Sequence, residues 1–343
     1  MSYVEKIKNG TYVIAEMSAN HAGDKERALE IIHAAKEAGA DCIKIQTYTP
    51  DTMTIDSDKK YFQITDGTWK GENFYHLYQK AYTPWEWQGE MKEEADKIGL
   101  DFLSTPFDKT SVDFLESLGV DSYKIASFEC TDLPLVSYVA SKGKPMIIST
   151  GMATYEEMKE LSETIKSKGN IPYALLRCCS DYPAITDCMN LRTMVDMGEK
   201  FQVPVGLSDH SMEDVAVISA VAMGAKIIEK HFCLSRKIEN PDASFSLEPK
   251  EFGKMVELIR KTESAMGSIA YGPSKREMKS LHYRRSIFCV KDIEAGERIS
   301  EENVRIIRPS DGLEPKYWEQ VIGKKAKQKI ERGTPLNWEM LGE

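Results

Sequence analysis

The amino-acid sequence predicts a closed (β/α)8 barrel of the TIM-barrel class followed by a small β-rich domain, and three observations carry that prediction. Between residue 11 and about residue 266 one phrase recurs eight times: a short apolar strand, a turn, and an amphipathic helix. The first turn, "AEMSANHAGD", lacks the G-x-G-x-x-G that an open doubly wound sheet usually shows after its first strand. After about residue 282 the rhythm changes to short strands and turns with a basic balance. A chain of 343 residues accommodates one barrel of about 250 residues and a companion. The division reads as a barrel over 1–270, a linker over 271–282 ("YGPSKREMKSLH") and a second domain over 283–343.

The elements follow in order. "TYVIAE" leads into "KERALEIIHAAKEAG", whose apolar residues recur at helical spacing and whose closing Gly39 suits a C-cap. Strands "DCIKIQTY", "DFLST", "SYKIAS", "PMIIST", "YALLRCC", "VPVGLS" and "KIIEKHF" come next. Helical segments between them include "PWEWQGEMKEEADKIG", "KTSVDFLESLG", "DLPLVSYVASKG", "TYEEMKELSETIKSKG" and "MEDVAVISAVAMG", and "EPKEFGKMVELIRKTESAMG" closes the series. In the second domain "DIEAGERI", "RPSDGLEP" and "ERGTPL" are turn punctuation.

Composition narrows the class of protein. Hydrophobic residues make up 41% and charged residues 29%, as in a soluble globular chain. A net charge of −9 argues against nucleic acid or an anionic membrane as the main partner, and "KKAKQK" reads as a solvated face. The start lacks the apolar core of a signal peptide, and the apolar stretch around "AVISAVAMGA" is too short to span a bilayer, so a cytoplasmic protein is expected. Seven cysteines without a C-x-x-C pair indicate neither a disulfide framework nor a zinc knuckle, and Cys178 and Cys179 read as two reduced thiols at a strand end.

A barrel places its chemistry at the C-terminal ends of its strands. Polar residues gather there: Glu16, Asn20 and His21; Lys44 and Gln46; Thr105; Lys124 and Ser127; Ser149; Ser180 and Tyr182; Ser208 and His210; Glu229 and His231. Any one of them could be a strand-end residue tied to a loop; their recurrence at the same end of every strand reads as an active site. In "GLSDHS" the residues Ser208, Asp209 and His210 are the types of a hydrolytic triad, but neighbours on an extended chain point to opposite faces and cannot converge. His210 and His231 instead end neighbouring strands, where two imidazoles can hold one divalent metal with open positions for water and substrate. The other reading gives the two histidines separate structural roles. Lys44, Lys124 and the hydroxyls of Thr105, Ser127, Ser149, Ser180 and Ser208 could ring an anion such as a phosphate. Lys124 could alternatively form a Schiff base. Glu16 could orient water or move a proton, or simply bind a lysine.

The motifs "IAEMSANHAGD", "KIQTYTPDTMT", "STPFD", "YKIASFE", "ISTGMAT", "GLSDHS" and "EKHF", in this order, resemble the sialic acid synthase family followed by its SAF (antifreeze-like) domain. The resemblance covers almost the whole chain. It implies condensation of phosphoenolpyruvate with an N-acetylated amino sugar to a nine-carbon 2-keto acid and phosphate. It further implies His210 and His231 as ligands of a divalent metal, Mn2+ ahead of Mg2+ or Co2+, and Glu16 as the catalytic carboxylate. Phosphoenolpyruvate is expected among Lys44, Thr105, Lys124, Ser127, Ser149, Ser180 and Ser208, with Ser180 standing where neuraminate enzymes often carry asparagine. The sugar is expected at Gln46, Tyr182 and Asp242, and at Arg308 of "IIRPSDG", reached from a second copy in a domain-exchanged homodimer. Within the family, "EMSANH", "QTYTPDTMT", "YTPWEW" and "SFECTDLP" are most similar to the branch whose acceptor is a 2,4-diacetamido-2,4,6-trideoxy-altrose, and Met17, Ser18 and Ala22 depart from the neuraminate branch's AEIG-x-NHNG pattern. The neuraminate and legionaminate branches are the alternatives, and a non-catalytic sugar-binding protein is the alternative of another class.

Overall fold

In a computed structural model, which describes residues 3–343, the chain divides into two compact units, one ending at Gly267 and the other spanning Ser268–Glu343. The first contains the eight expected strands: β1 (Tyr12–Glu16), β2 (Cys42–Thr47), β3 (Asp101–Pro106), β4 (Tyr123–Ile125), β5 (Met146–Ser149), β6 (Tyr173–Cys178), β7 (Val205–Asp209) and β8 (Ile227–His231). All pair in parallel in the order β3-β2-β1-β8-β7-β6-β5-β4, and β3 packs beside β4 to complete the ring. Outside it run α1 (Lys25–Glu37), α2 (Trp85–Lys97), α3 (Lys109–Ser117), α4 (Leu133–Ala140), α5 (Tyr155–Lys166), α6 (Arg192–Phe201), α7 (Val215–Ala222) and α8 (Pro249–Met266). Of these, α6 lies outside the segments read above, although Met194, Met197 and Phe201 recur in it at helical spacing; the others coincide with those segments.

The strands read as apolar runs because both of their faces are covered. Alternate side chains sort them into two cores. Val13, Ala15, Ile43, Ile45, Leu207 and Ile228 face the helices, whereas Tyr12, Ile14, Cys42, Leu103, Ile147, Leu176 and Ile227 fill the barrel. The turn of helix Tyr3–Lys6 plugs the N-terminal end, with the Tyr3 hydroxyl donating to the Met146 carbonyl at 2.8 Å. The apolar filling stops short of the C-terminal end. There the same inward parity delivers polar residues: Glu16 beside Lys44 on β1 and β2, Glu16 beside His231 on β1 and β8, and Ser208 beside Glu229 on β7 and β8.

One expectation about the cysteines is corrected. Cys179 is bonded to Cys188 rather than reduced, because the short helical turn Thr186–Cys188 brings the two Cα atoms within 6.3 Å; Cys178 remains a free, buried thiol. The second unit pairs β9 (Ser286–Cys289) antiparallel with β10 (Val304–Ile307) over a core of Ile287, Ile293, Ile299, Val304, Val321, Ile330 and Leu336. Among the described residues no helix is long and apolar enough to cross a membrane.

Candidate active site

At the barrel mouth β1, β2, β4 and β8 present two carboxylates and two ammonium groups to one another, all nearly out of contact with water. Lys44 Nζ lies 2.7 Å from Glu16 Oε2 and 3.5 Å from Glu229 Oε1, and Lys124 Nζ lies 3.7 Å from Glu229 Oε2. Gln46 donates to Glu16 at 2.9 Å, Ser208 donates to Glu229 at 3.3 Å, and Lys124 donates to Ser149 Oγ at 2.6 Å. Lys44 also reaches Thr105 Oγ1 at 3.4 Å. Burial works against the Lys44 charge, yet the carboxylates of Glu16 and Glu229 outweigh it and raise its pKa. For Lys124 burial prevails and the pKa falls, although Glu229 opposes it. Glu16 is raised by burial, against the pull of Lys44.

Glu229 stood among the strand-end polar residues without a role; the structure makes it the group that joins both lysines and Ser208. Inward parity on β8, where Ile227, Glu229 and His231 alternate with outward residues, is the signal that could have assigned it. On the far side two of the hydroxyls, those of Ser127 and Ser180, close on Gly151. Ser127 Oγ accepts from the Gly151 amide at 3.1 Å, and a Cβ at position 151 would lie 2.8 Å from Ser127 Oγ and 2.2 Å from Ser180 Oγ. Gly151 therefore leaves a cradle open between Ser127 and Ser180 that any side chain would close.

His210 and His231 face each other with ring centroids 5.3 Å apart. His210 Nδ1 is 2.9 Å from the Cys179 carbonyl oxygen, which only accepts, so this nitrogen carries a proton and Nε2 is the one that offers a lone pair when the ring is neutral; burial lowers the ring's pKa, but the Cys178 thiol and the Cys179 carbonyl outweigh burial and raise it. His231 Nδ1 is buried with no hydrogen-bond partner. Burial, followed by positive charge on His210 when that ring is protonated and by the ammonium groups of Lys44, Lys230 and Lys124, holds His231 well below the usual imidazole range, which keeps it a neutral ligand. Two imidazoles with free nitrogens, one of them an orphaned buried atom, fit a divalent ion whose remaining positions are filled from outside the chain. Among the described residues no third His, Cys, Asp or Glu joins them. Tyr182 lies over His210, centroids 4.2 Å apart.

The remaining expected residues separate. Asp242 is buried, but its carboxylate accepts from the Ala19 amide at 3.2 Å; burial raises its pKa against that bond and the Ser18 hydroxyl. Asn20 donates to Ser246 Oγ at 2.8 Å, and His21 is held between Thr83 Oγ1 and the Gly23 amide, a structural post. Arg308 is exposed in the second unit. A residue that drew no attention in the sequence is Glu129, just beyond β4: its Oε2 is buried without a hydrogen-bond partner. Burial, against the pull of its backbone hydrogen bond and of Lys124, raises its pKa to about 7.

Against known proteins, residues 31–271 match the model of the NeuB family and residues 284–342 match that of the SAF domain. A pseudaminic acid synthase of Campylobacter jejuni is 47% identical over 325 residues, covering 95% of this chain and 95% of that protein. A pseudaminic acid synthase of Helicobacter pylori is 42% identical, covering 95% and 96% respectively. Among solved structures, the N-acetylneuraminic acid synthetase of Leptospira borgpetersenii superposes with a TM-score of 0.71 at 31% identity, over 80% of this chain and 92% of that one.

Proposed function

Because this chain belongs to the NeuB family, followed by a SAF domain, we propose that it acts as a pseudaminic acid synthase. It condenses phosphoenolpyruvate and water with 2,4-diacetamido-2,4,6-trideoxy-β-L-altropyranose and releases phosphate. The observation that carries the reading is the convergence, in one barrel mouth, of two open imidazoles with a buried pair of lysines and a rim of hydroxyls. Similarity to two pseudaminic acid synthases supports this acceptor over those of the neuraminate and legionaminate branches.

His210 and His231 would hold a divalent ion, Mn2+ with Mg2+ or Co2+ as alternatives, which supplies Lewis-acid polarisation of the acceptor aldehyde. Lys44 and Lys124 take the negative charge of phosphoenolpyruvate. Thr105, Ser127, Ser149, Ser180 and Ser208 supply donors to its phosphate and carboxylate without adding charge. Bond formation from carbon 3 of phosphoenolpyruvate to the aldehyde leaves positive character at carbon 2. Glu16 orients water toward carbon 2 and accepts its proton. The tetrahedral adduct collapses with cleavage of the bond between carbon 2 and the bridging oxygen, so phosphate leaves with that oxygen and the new keto oxygen comes from water. Gln46, Tyr182 and Asp242 face the sugar. No step requires a covalent enzyme intermediate, so Lys124 serves as an ammonium rather than a Schiff base.

The proposal includes a homodimer in which Arg308 of one copy reaches the acceptor in the other. Exposed apolar side chains on three successive mouth loops, Phe128, Met152 and Ile185, support a partner surface there. Phosphoenolpyruvate as co-substrate assigns the reaction to the cytoplasm. The test is phosphate release with phosphoenolpyruvate, Mn2+ and each of three acceptors: the trideoxy-altrose, its legionaminate-pathway counterpart, and N-acetylmannosamine. Release with the altrose sugar, abolished by chelator and restored by metal, is expected. Preference for either other acceptor would reassign the branch, and no release with any would overturn the reading.

A further inference from the structure

Two residues beyond the end of β1 the backbone passes through Ser18 with φ at +43°. This is the left-handed region, which glycine enters freely and which strains a residue that carries a Cβ. A serine stands there nonetheless, and it is buried. A hydroxyl kept out of water on a strained backbone points to work that glycine could not do.

The Ser18 hydroxyl is where three elements meet. From β2, Gln46 Nε2 donates to Ser18 Oγ at 2.9 Å and, with its other hydrogen, to Glu16 Oε1 on β1 at 2.9 Å. From the segment between β8 and α8 comes Asp242: burial raises its pKa, and a hydrogen bond from the Ser18 hydroxyl works against that burial. The Ala19 amide donates to the same carboxylate at 3.2 Å, and Asn20 donates to Ser246 Oγ at 2.8 Å, so the short helical turn Ser18–His21 is docked along that segment. A hydroxyl has one hydrogen and two lone pairs, so it can accept from an amide while donating to a carboxylate. That polarity fixes the Gln46 amide with its nitrogen toward Glu16 and Ser18 and its carbonyl oxygen outside both bonds. Remove the hydroxyl and one of the two bonds on the Gln46 nitrogen goes with it, leaving the amide free to turn about the other.

From this geometry we infer that Ser18 is a positioning residue for the reaction, its hydroxyl holding Gln46 against Glu16 and tying both to Asp242. It thereby joins the carboxylate that handles water to two residues that face the sugar, and it acts through them. The inference rests on the reaction proposed above. A purely structural role, in which the hydroxyl only steadies the turn, makes a different prediction. Ser18→Gly removes the hydroxyl and the backbone strain together, whereas Ser18→Ala removes the hydroxyl and keeps the strain. A positioning hydroxyl is missed equally in both variants; a stabilising one is missed less where the strain has gone.

The experiment measures phosphate release by the full-length, metal-loaded wild type, Ser18→Gly and Ser18→Ala, varying each substrate in turn, alongside the melting temperature of each protein. In both variants kcat/KM for the trideoxy acceptor should fall by on the order of 100-fold, the loss that a misplacement of about 1 Å brings. KM for phosphoenolpyruvate should stay unchanged, and Ser18→Gly should melt above Ser18→Ala. In a Gln46→Ala background the added effect of Ser18→Gly should shrink well below its effect in the wild type, because the two residues act through one contact. Acceptor kcat/KM at the wild-type level in Ser18→Gly overturns the inference while leaving the proposed reaction standing. So does a loss confined to Ser18→Ala, which would follow stability rather than the hydroxyl, and so does full additivity with Gln46→Ala. A rise in KM for phosphoenolpyruvate as large as that for the acceptor would mean a general collapse of the mouth and also count against it. A wild type that releases no phosphate with any acceptor overturns the reaction, and this inference with it.

Discussion

Glu129 and the two histidines show how single side chains set conditions at the mouth. The Glu129 carboxyl is raised from 4.5 to about 7, chiefly by burial. A carboxyl raised on folding binds its proton more tightly in the native state, so its contribution to stability is complete below the unfolded value of 4.5 and disappears as pH rises past about 7. Glu129→Gln removes that term. The variant's unfolding free energy in urea should gain on the wild type's between pH 5 and pH 8 by an amount on the order of 2 kcal/mol, and an unchanging difference across that range would refute the assignment. If the same carboxyl serves proton transfer, the limb of the kcat profile near neutrality should vanish in Glu129→Gln. At the histidines, His231→Ala or His210→Ala removes one of the two proposed protein ligands. Mn2+ affinity, followed by the free-ion signal in paramagnetic resonance, should fall by at least about 100-fold with the melting temperature little changed. Near-normal affinity in either variant would remove that residue from the metal site.

Between neighbouring elements, the ends of β7 and β8 are tied from outside. Asp209 and Lys230 point away from the barrel axis, lie opposite each other in register, and form an ion pair 2.5 Å long, with Lys230 also donating to the Ser211 carbonyl. Each immediately precedes a histidine, so the pair fixes the spacing of the two strand ends that carry His210 and His231. Lys230→Met leaves a buried carboxylate without a counter-charge and should cost about 3–5 kcal/mol in urea unfolding; pairing it with Asp209→Leu should recover most of that. No recovery in the double variant would show that shape rather than charge holds the strand ends. The contact also marks where sequence reading stops. Parity along "GLSDHS" puts Asp209 outside, but its partner is known only once β7 and β8 are in register. The eight strands were legible because buried parallel strands are nearly continuous apolar runs, and the inward polar residues followed from period two. Helix α6 carries the same signal, with Met194, Met197 and Phe201 at helical spacing, but it is short, has Gly198 inside it and follows an irregular stretch that hides its start. The loop at 63–73, between β2 and α2, has no periodicity, and the bonds that shape it run to Tyr182 and Pro241, more than 100 residues away. Glu129 escaped notice because burial, a property of the folded chain, is what sets it apart.

At the scale of the molecule, the mouth is electrically balanced as it stands. Glu16 and Glu229 offset Lys44 and Lys124, so a strongly anionic co-substrate requires further positive charge. In the proposed reaction a divalent ion at the histidines would supply some of it, and Arg308 of a second copy would supply more on the acceptor side. That arrangement would explain why an exposed arginine in a small domain accompanies a complete barrel, and it would make each active site a shared property of two chains. Arg308→Ala should raise the acceptor KM and leave phosphoenolpyruvate affinity mostly unchanged, whereas His231→Ala abolishes turnover through the metal. Neither measurement alone reveals which chain supplies the arginine. Mixing does. When the two variants are combined in equal amounts, allowed to exchange subunits and assayed at an acceptor concentration too low for Arg308→Ala alone to turn over, a mixed dimer holds one barrel with its histidines intact facing an intact Arg308 from the other chain, and one site with both defects. Random exchange makes half of the dimers mixed, each with one working site, so activity should recover to about a quarter of wild type. If Arg308 instead served the barrel of its own chain, every site in the mixture would carry one lesion and no activity would return. Recovery that rises with the time allowed for exchange, and is absent at its start, would tie the restored sites to the shared dimer.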